Sequence, residues 1–377
     1  MTTTATKTTR AAVMTATKQM NVQELELPDI PADAGILRVL RAGICGADVP
    51  MYASNLFPRI LGHENVGIIE KLGDIAAERW GVKVGDYVAL EEYLPCGSCE
   101  LCREGEFRAC QQTNHSSVEG ALRYGSTKTT VWPGLWGGYS QFQYLHPRAV
   151  MHKVPDGVPP RMAAMALPIG NGFQWAVFDG GAGLGDTVVV QGPGQQGLAC
   201  AVAARAAGAK TVIVTGLERD AQRLAAAKKL GADHTIMVDK EDLRARIKEI
   251  TNGRGVDLVL DVSSGGATEV INGGLDILKS RNGRFICAAF KKKPVDGFML
   301  DTIISKAIRF RGVRGHSFKA VEMALDLMAS KKIDLEVMST HEFGLEEADT
   351  AVRLVGGEIR DKDGNMAIHV TIDPWKN

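Results

Sequence analysis

Four of the chain's seven cysteines stand in one stretch, PCGSCELCREGEFRAC, where Cys96, Cys99, Cys102 and Cys110 follow the pattern C-x2-C-x2-C-x7-C. Spacing this tight lets a short loop wrap four thiolates around a single ion, and four sulfurs close a tetrahedral zinc site that keeps no open position. Such a centre orders its loop and performs no chemistry. An iron–sulfur cluster starts in a similar way, but the long final gap and the absence of a proline after Cys110 fit it poorly.

A second chemical signal lies in GDTVVVQGPGQQGLACAVAARAAGAKTVIVTGLERD. A β-branched run over 187–190 predicts a strand that feeds Gly192, Gly194 and Gly197, with Gln195 and Gln196 between them. An alanine-rich helix and a second strand over 211–215 follow. In a βαβ unit the first glycine makes the tight turn and the second lets backbone approach a pyrophosphate. The third lets the helix pack closely, with its first N–H groups facing the phosphates.

Further strands are expected at VDLVLDV and GRFICAAF with helical stretches between, so the element pattern is α/β, a doubly wound parallel sheet. Cys200 and Cys287 then fall on the first helix and an inner strand, where small buried thiols are expected. The coenzyme is NAD or NADP, read at the end of the second strand, where an acid accepts ribose hydroxyls and its absence admits a 2′-phosphate. Counting forward from Gly197 puts Gly216 there, which favours NADP. Counting back from Gly231 puts Glu218 there, which favours NAD, and Arg219 beside it is a possible phosphate partner or a solvated cation. The carboxylate tilts the reading slightly to NAD.

The elements that position these motifs need more than one core. At 377 residues two domains are expected. With 44 basic and 44 acidic residues and no basic block, the chain has no electrostatic footprint for nucleic acid or an anionic membrane, and a small-molecule substrate fits better. No apolar run reaches the roughly 20 residues that span a bilayer, and no secretory signal is evident. The cytoplasm is therefore expected, which also argues against disulfide pairing. The opening MTTTATKTTR reads as a frayed polar tail.

The cysteine in GICGADVP, the segment GHENVGIIEKLG, GVKVGDYV, the four-cysteine lobe and VVVQGPGQQG occur in an order that resembles the medium-chain, zinc-containing alcohol dehydrogenases, near the sorbitol and threonine dehydrogenase branch. The resemblance covers nearly the whole chain. It implies a GroES-like catalytic domain over 1–158 and 307–377, carrying the zinc lobe at 91–112, and a Rossmann coenzyme domain over 159–306. AIRFRGVRG is then a strand returning to the catalytic domain, and MAIHVTI a late strand. The resemblance also implies a homodimer or homotetramer. Cys45 and His63 match the family's catalytic zinc ligands, Glu64 matches the acid that enters or leaves that shell, and Asp48 matches the carboxylate that fixes the histidine tautomer. Adjacent strand residues face opposite ways, so His63 and Glu64 can both be donors only where the backbone bends.

The departures from the family are equally specific. Leu167 and Asn171 stand at the two alignments of a further family ligand, and neither is a good zinc donor. Ala47 and Pro50 replace the hydroxyl and the histidine that relay the alcohol proton, a form of help commonly worth about 10²- to 10⁴-fold. The sequence therefore supports three readings. The first is zinc-assisted oxidoreduction of an apolar secondary alcohol or ketone. The second is a zinc-independent NAD(P)H reductase of an activated C=C bond, and the third a non-enzymatic nucleotide-binding protein. Tyr124, Trp132 and Trp136, with Phe57, Phe173 and Trp175, are candidates for an apolar cleft. For the first three, anchoring of the loop is an equal alternative. His115, His146, His152, His234 and His316 have no metal-like spacing and are expected on the surface or in packing.

Overall fold

The computed structural model, which describes residues 8–114 and 120–376, turns the predicted β-branched and apolar runs into strands. In the first part of the chain these are β1 (Thr8–Ala16), β2 (Gln19–Glu26), β3 (Gly35–Gly43), β4 (Arg59–Ile60), β5 (Glu64–Leu72), β6 (Tyr87–Leu90), β7 (Phe142–Leu145) and β8 (Met151–Lys153). Then come β9 (Thr187–Gln191), β10 (Thr211–Gly216), β11 (His234–Met237), β12 (Leu258–Asp261), β13 (Arg284–Cys287) and β14 (Arg309–Gly312), and finally β15 (Ser339–Phe343) and β16 (His369–Ile372). Two compact units result: one runs to Leu167 and resumes at Ser339, the other is Pro168–Met338.

In the first unit, β15, β16, β3, β5, β6 and β8 lie side by side, with β7 also on β3, and β2, β1 and β4 form a separate small sheet. Val39, Ile44, Leu61, Ile69 and Leu90 are buried to within 1 % between these layers. Each contributes about 1.5–3 kcal/mol of apolar transfer. Thr8, Thr9 and Arg10 pair with Glu26, Leu25 and Glu24, so the polar opening stretch is strand from Thr8 onward; residues 1–7 lie outside the described residues. Cross-strand hydrogen bonding outweighs the polar composition there. Tyr124 and Trp136 are buried core anchors, with the Tyr124 hydroxyl accepting from His146 N at 2.8 Å, whereas Trp132 is 60 % exposed.

The second unit is one sheet in the order β11, β10, β9, β12, β13, β14, with every pairing parallel. This is the doubly wound arrangement expected of alternating strands and helices. The helix Gln195–Ala206 is buried from Gly197 to Ala204, which explains its alanines: a sheet-covering helix closed over by others has no room for large side chains. Arg309–Gly312 differs from the expectation. It pairs in parallel with β13 as the sixth strand of this sheet, so the first unit resumes at Ser339 and not at 307. Cys200 is buried as expected, and Cys287 is half-buried.

Candidate active site and metal centres

The thiol of Cys45, the imidazole of His63 and the carboxylate of Glu64 offer donor atoms that all lie within 4.8 Å of one another. The required bend is present. Gly62 has φ +91°, and a Cβ there would sit 2.5 Å from the Tyr139 ring, so only glycine fits. His63 therefore precedes the strand and Glu64 opens it, which lets neighbours in sequence face one point.

Asp48, the first residue of the short helix Asp48–Tyr52, is 2 % exposed. Its Oδ2 accepts from Cys45 N at 3.0 Å and from the Tyr139 hydroxyl at 3.1 Å, and its Oδ1 lies 3.3 Å from His63 Nδ1. With Nδ1 occupied, Nε2 is left for the donor cluster.

Electrostatics show what this cluster fits. Burial and the Glu64 charge push the Cys45 thiol up to about 11, so a thiolate needs a cation beside it. Burial alone would lower His63, but the Asp48 and Glu92 charges outweigh it and hold the imidazole well above its usual value. A thiol, an imidazole and a carboxylate are a donor set suited to zinc.

Sequence reasoning missed three residues here. Tyr139 carries Asp48. Glu92, just past β6, places Oε2 3.9 Å from His63 Nε2. Arg123 binds that same oxygen through Nε at 2.9 Å and through Nη2, and stacks over Tyr93 at 4.8 Å. The one available signal was the pair Glu91-Glu92 directly after the apolar run YVAL. Glu91 itself meets His152 at 3.1 Å, both fully buried.

Ala47 and Pro50 are exposed and bring no titratable group. Leu167 is 3 % exposed. In the second unit, the Asn171 amide oxygen lies 2.9 Å from His316 Nδ1. The Trp175 indole N–H donates to Gly315 O at 3.0 Å. Phe173 is buried and Phe57 half-buried. His115 lies outside the described residues.

The sulfurs of Cys96, Cys99, Cys102 and Cys110 likewise lie within 4.8 Å of one another, and Cys96 Sγ is 3.9 Å from Cys102 Sγ. A tetrahedron with Zn–S bonds of 2.3 Å has an edge of about 3.8 Å, so the spacing fits zinc. Backbone N–H groups already face the sulfurs. Cys99 N donates to Cys96 Sγ and Cys96 N to Cys110 Sγ, each at 3.3 Å, and hydrogen bonds from Ser98 and Cys99 pull the Cys96 thiol down to about 5.

In the second unit Gly192 ends β9's turn, Gly194 caps the helix with no side chain in the way, and Gln195 and Gln196 begin it. A Cβ on Gly197 would lie 1.8 Å from Gly192 O, which fixes that position as glycine. Gly216 is the last residue of β10. Glu218 stands two residues on, exposed, its N–H donating to Asp239 Oδ1 at 2.9 Å and its carboxylate 2.8 Å from Lys240 Nζ. Arg219 is exposed.

Comparison with known proteins agrees with these features. Residues 32–156 match the alcohol dehydrogenase GroES-like domain and residues 197–330 the zinc-binding dehydrogenase family. A probable alcohol dehydrogenase of Mycobacterium tuberculosis is 35% identical over 97% of this chain and 98% of its own. Sorbitol dehydrogenase of Halalkalibacterium halodurans is 32% identical over 85% and 87%. The solved alcohol dehydrogenase of Thermotoga maritima superposes with a TM-score of 0.83 at 26% identity, covering 97% of this chain and 99% of that one. The chain belongs to the medium-chain, zinc-containing alcohol dehydrogenase family and is an NAD(P)-dependent oxidoreductase.

Proposed function

We propose that the protein transfers hydride between nicotinamide and an apolar secondary alcohol or ketone at a catalytic zinc held by Cys45, His63 and Glu64. The observation that carries this reading is the convergence of those three donors within 4.8 Å, with Asp48 on His63 Nδ1. Three protein donors suffice for a catalytic zinc, which compensates for Leu167 and Asn171. When bound, zinc supplies Lewis-acid polarisation of the substrate oxygen.

The chain's own residues do the rest. Asp48 keeps the Nδ1 proton in place so that Nε2 stays a donor, and Tyr139 holds Asp48. The N–H groups at the start of the helix Gln195–Ala206 face the coenzyme pyrophosphate, which orients the ring that carries hydride. Neither Ala47 nor Pro50 moves the proton released on oxidation. Cys96, Cys99, Cys102 and Cys110 hold a second zinc that orders their loop.

NAD is the preferred coenzyme on this reading, because Glu218 and Asp239 place two carboxylates beside the end of β10, where a 2′-phosphate would be repelled. A cytoplasmic homodimer or homotetramer completes the proposal. Supporting assembly, β14 is an exposed edge strand that carries Phe310, 39 % exposed, and Met299, Leu300 and Ile304 in the segment before it are exposed by 51 % or more. The C=C reductase and the non-enzymatic reading are not favoured beside relatives that are alcohol and sorbitol dehydrogenases.

The test compares NAD+ and NADP+ reduction with a panel of secondary alcohols against NAD(P)H oxidation with enones. Alcohol turnover with NAD+ is expected. Enone reduction without alcohol turnover contradicts the proposal.

A further inference from the structure

His369 opens β16 and is completely buried, yet neither of its ring nitrogens has a hydrogen-bond partner among the described residues. Its Nε2 lies 4.0 Å from Glu64 Oε2. A buried polar ring without a partner is costly, so its survival at this place calls for an acceptor.

The surrounding strands are arranged to bring the two groups together. Gly43, at the end of β3, pairs with Glu64 on one side and with Thr371 of β16 on the other. A Cβ on Gly43 would lie 2.8 Å from Glu64 Oε2 and 2.9 Å from His369 Nε2. Glycine there leaves the gap between imidazole and carboxylate open. The separation exceeds a hydrogen bond by about 1 Å. Glu64 thus has Cys45 and His63 on one side and His369 on the other.

We propose that His369 is a positioning residue for Glu64: its ring N–H takes one carboxylate oxygen and presents the other to the catalytic metal. The inference rests on the donor set proposed above. It makes Glu64 a fixed donor in a site where neither Leu167 nor Asn171, at the two alignments of a further ligand, is a good zinc donor. Outer-shell partners of this kind change metal affinity by about 10- to 100-fold.

The experiment measures zinc transfer to a chromophoric chelator, and the visible spectrum of the cobalt(II)-substituted protein, for wild type, His369→Leu, His369→Gln, Glu64→Gln and the double variant His369→Leu/Glu64→Gln. The four-cysteine zinc serves as an internal standard for folding. His369→Leu is expected to weaken zinc at the Cys45, His63 and Glu64 site by about 10- to 100-fold and to alter the cobalt spectrum. His369→Gln, which keeps an N–H donor, restores most of the affinity. The Leu substitution has no further effect once Glu64 is Gln.

An unchanged affinity and spectrum in His369→Leu, or an equal loss with and without Glu64, overturns the proposal. If His369→Leu loses both zincs, His369→Asn replaces it, too short to reach Glu64, with the same expected loss and the same contrary outcome. Cys45→Ala separates the two levels. If it retains both zincs, the donor set itself is wrong. If it loses one while His369→Leu loses none, only the role of His369 fails.

Discussion

The four-cysteine lobe and the Cys45 cluster each bring their donors within 4.8 Å of one another, but by different means. In the lobe all four sulfurs come from one short loop, and the N–H groups facing them belong to the same loop. At Cys45 the donors come from the end of β3 and the start of β5. They are steadied by Asp48, by Tyr139 from a distant loop, and by Glu92 with Arg123 from two more segments. On the proposed reading, a loop whose donors and facing N–H groups all come from one short segment depends on metal for order. A cluster held by five segments of a β-sheet unit keeps its shape and depends on metal for chemistry.

Removing metal separates the two most sharply. Cys99→Ser is expected to cost the lobe most of its order, since binding energy of this kind is on the order of 10 kcal/mol in isolated sites. Limited proteolysis at 96–113 reads the effect, and cleavage no faster than in wild type would break the contrast.

Next is Arg123→Met, which takes the guanidinium away from Glu92 beside His63. Unfolding in urea should show a loss of about 3–5 kcal/mol, because removing one partner of this largely buried ion pair leaves the Glu92 carboxylate less compensated. Asp48→Asn comes third. The fold should hold while the Cys45 cluster binds zinc about 10- to 100-fold more weakly, with the four-cysteine zinc unaffected in the same chelator titration. Comparable in size to the third is Tyr139→Phe, the loss of one hydrogen bond to a carboxylate. It should lower stability by about 1.5–3 kcal/mol at most, measured by thermal unfolding, and equal weakening of both zincs would argue against separate supports.

Much of the fold and part of the site were legible in the sequence because some motifs are local. The spacing of Cys96 to Cys110, and a glycine loop between a β-branched strand and an alanine helix, carry their geometry within a few residues. Gly62-His63-Glu64 is local too, since the glycine supplies the bend that lets both donors face one point.

The rest depends on pairing over distance. Glu92 reads as one more acid after a strand until Arg123 closes on it. His369 has no neighbour in sequence to betray Glu64. Arg309–Gly312 has the propensity of any edge strand, and only its parallel register with β13 assigns it to the coenzyme sheet. At the coenzyme corner Gly216 is the last residue of β10, and Glu218 stands two residues beyond it with its N–H on Asp239.

The most direct measurement is zinc per chain in wild type and in Cys45→Ala, read together with secondary-alcohol oxidation. Two zincs falling to one, with alcohol turnover lost and the fold retained, is the predicted result. Alcohol turnover that persists unchanged in Cys45→Ala with only the four-cysteine zinc present would contradict it.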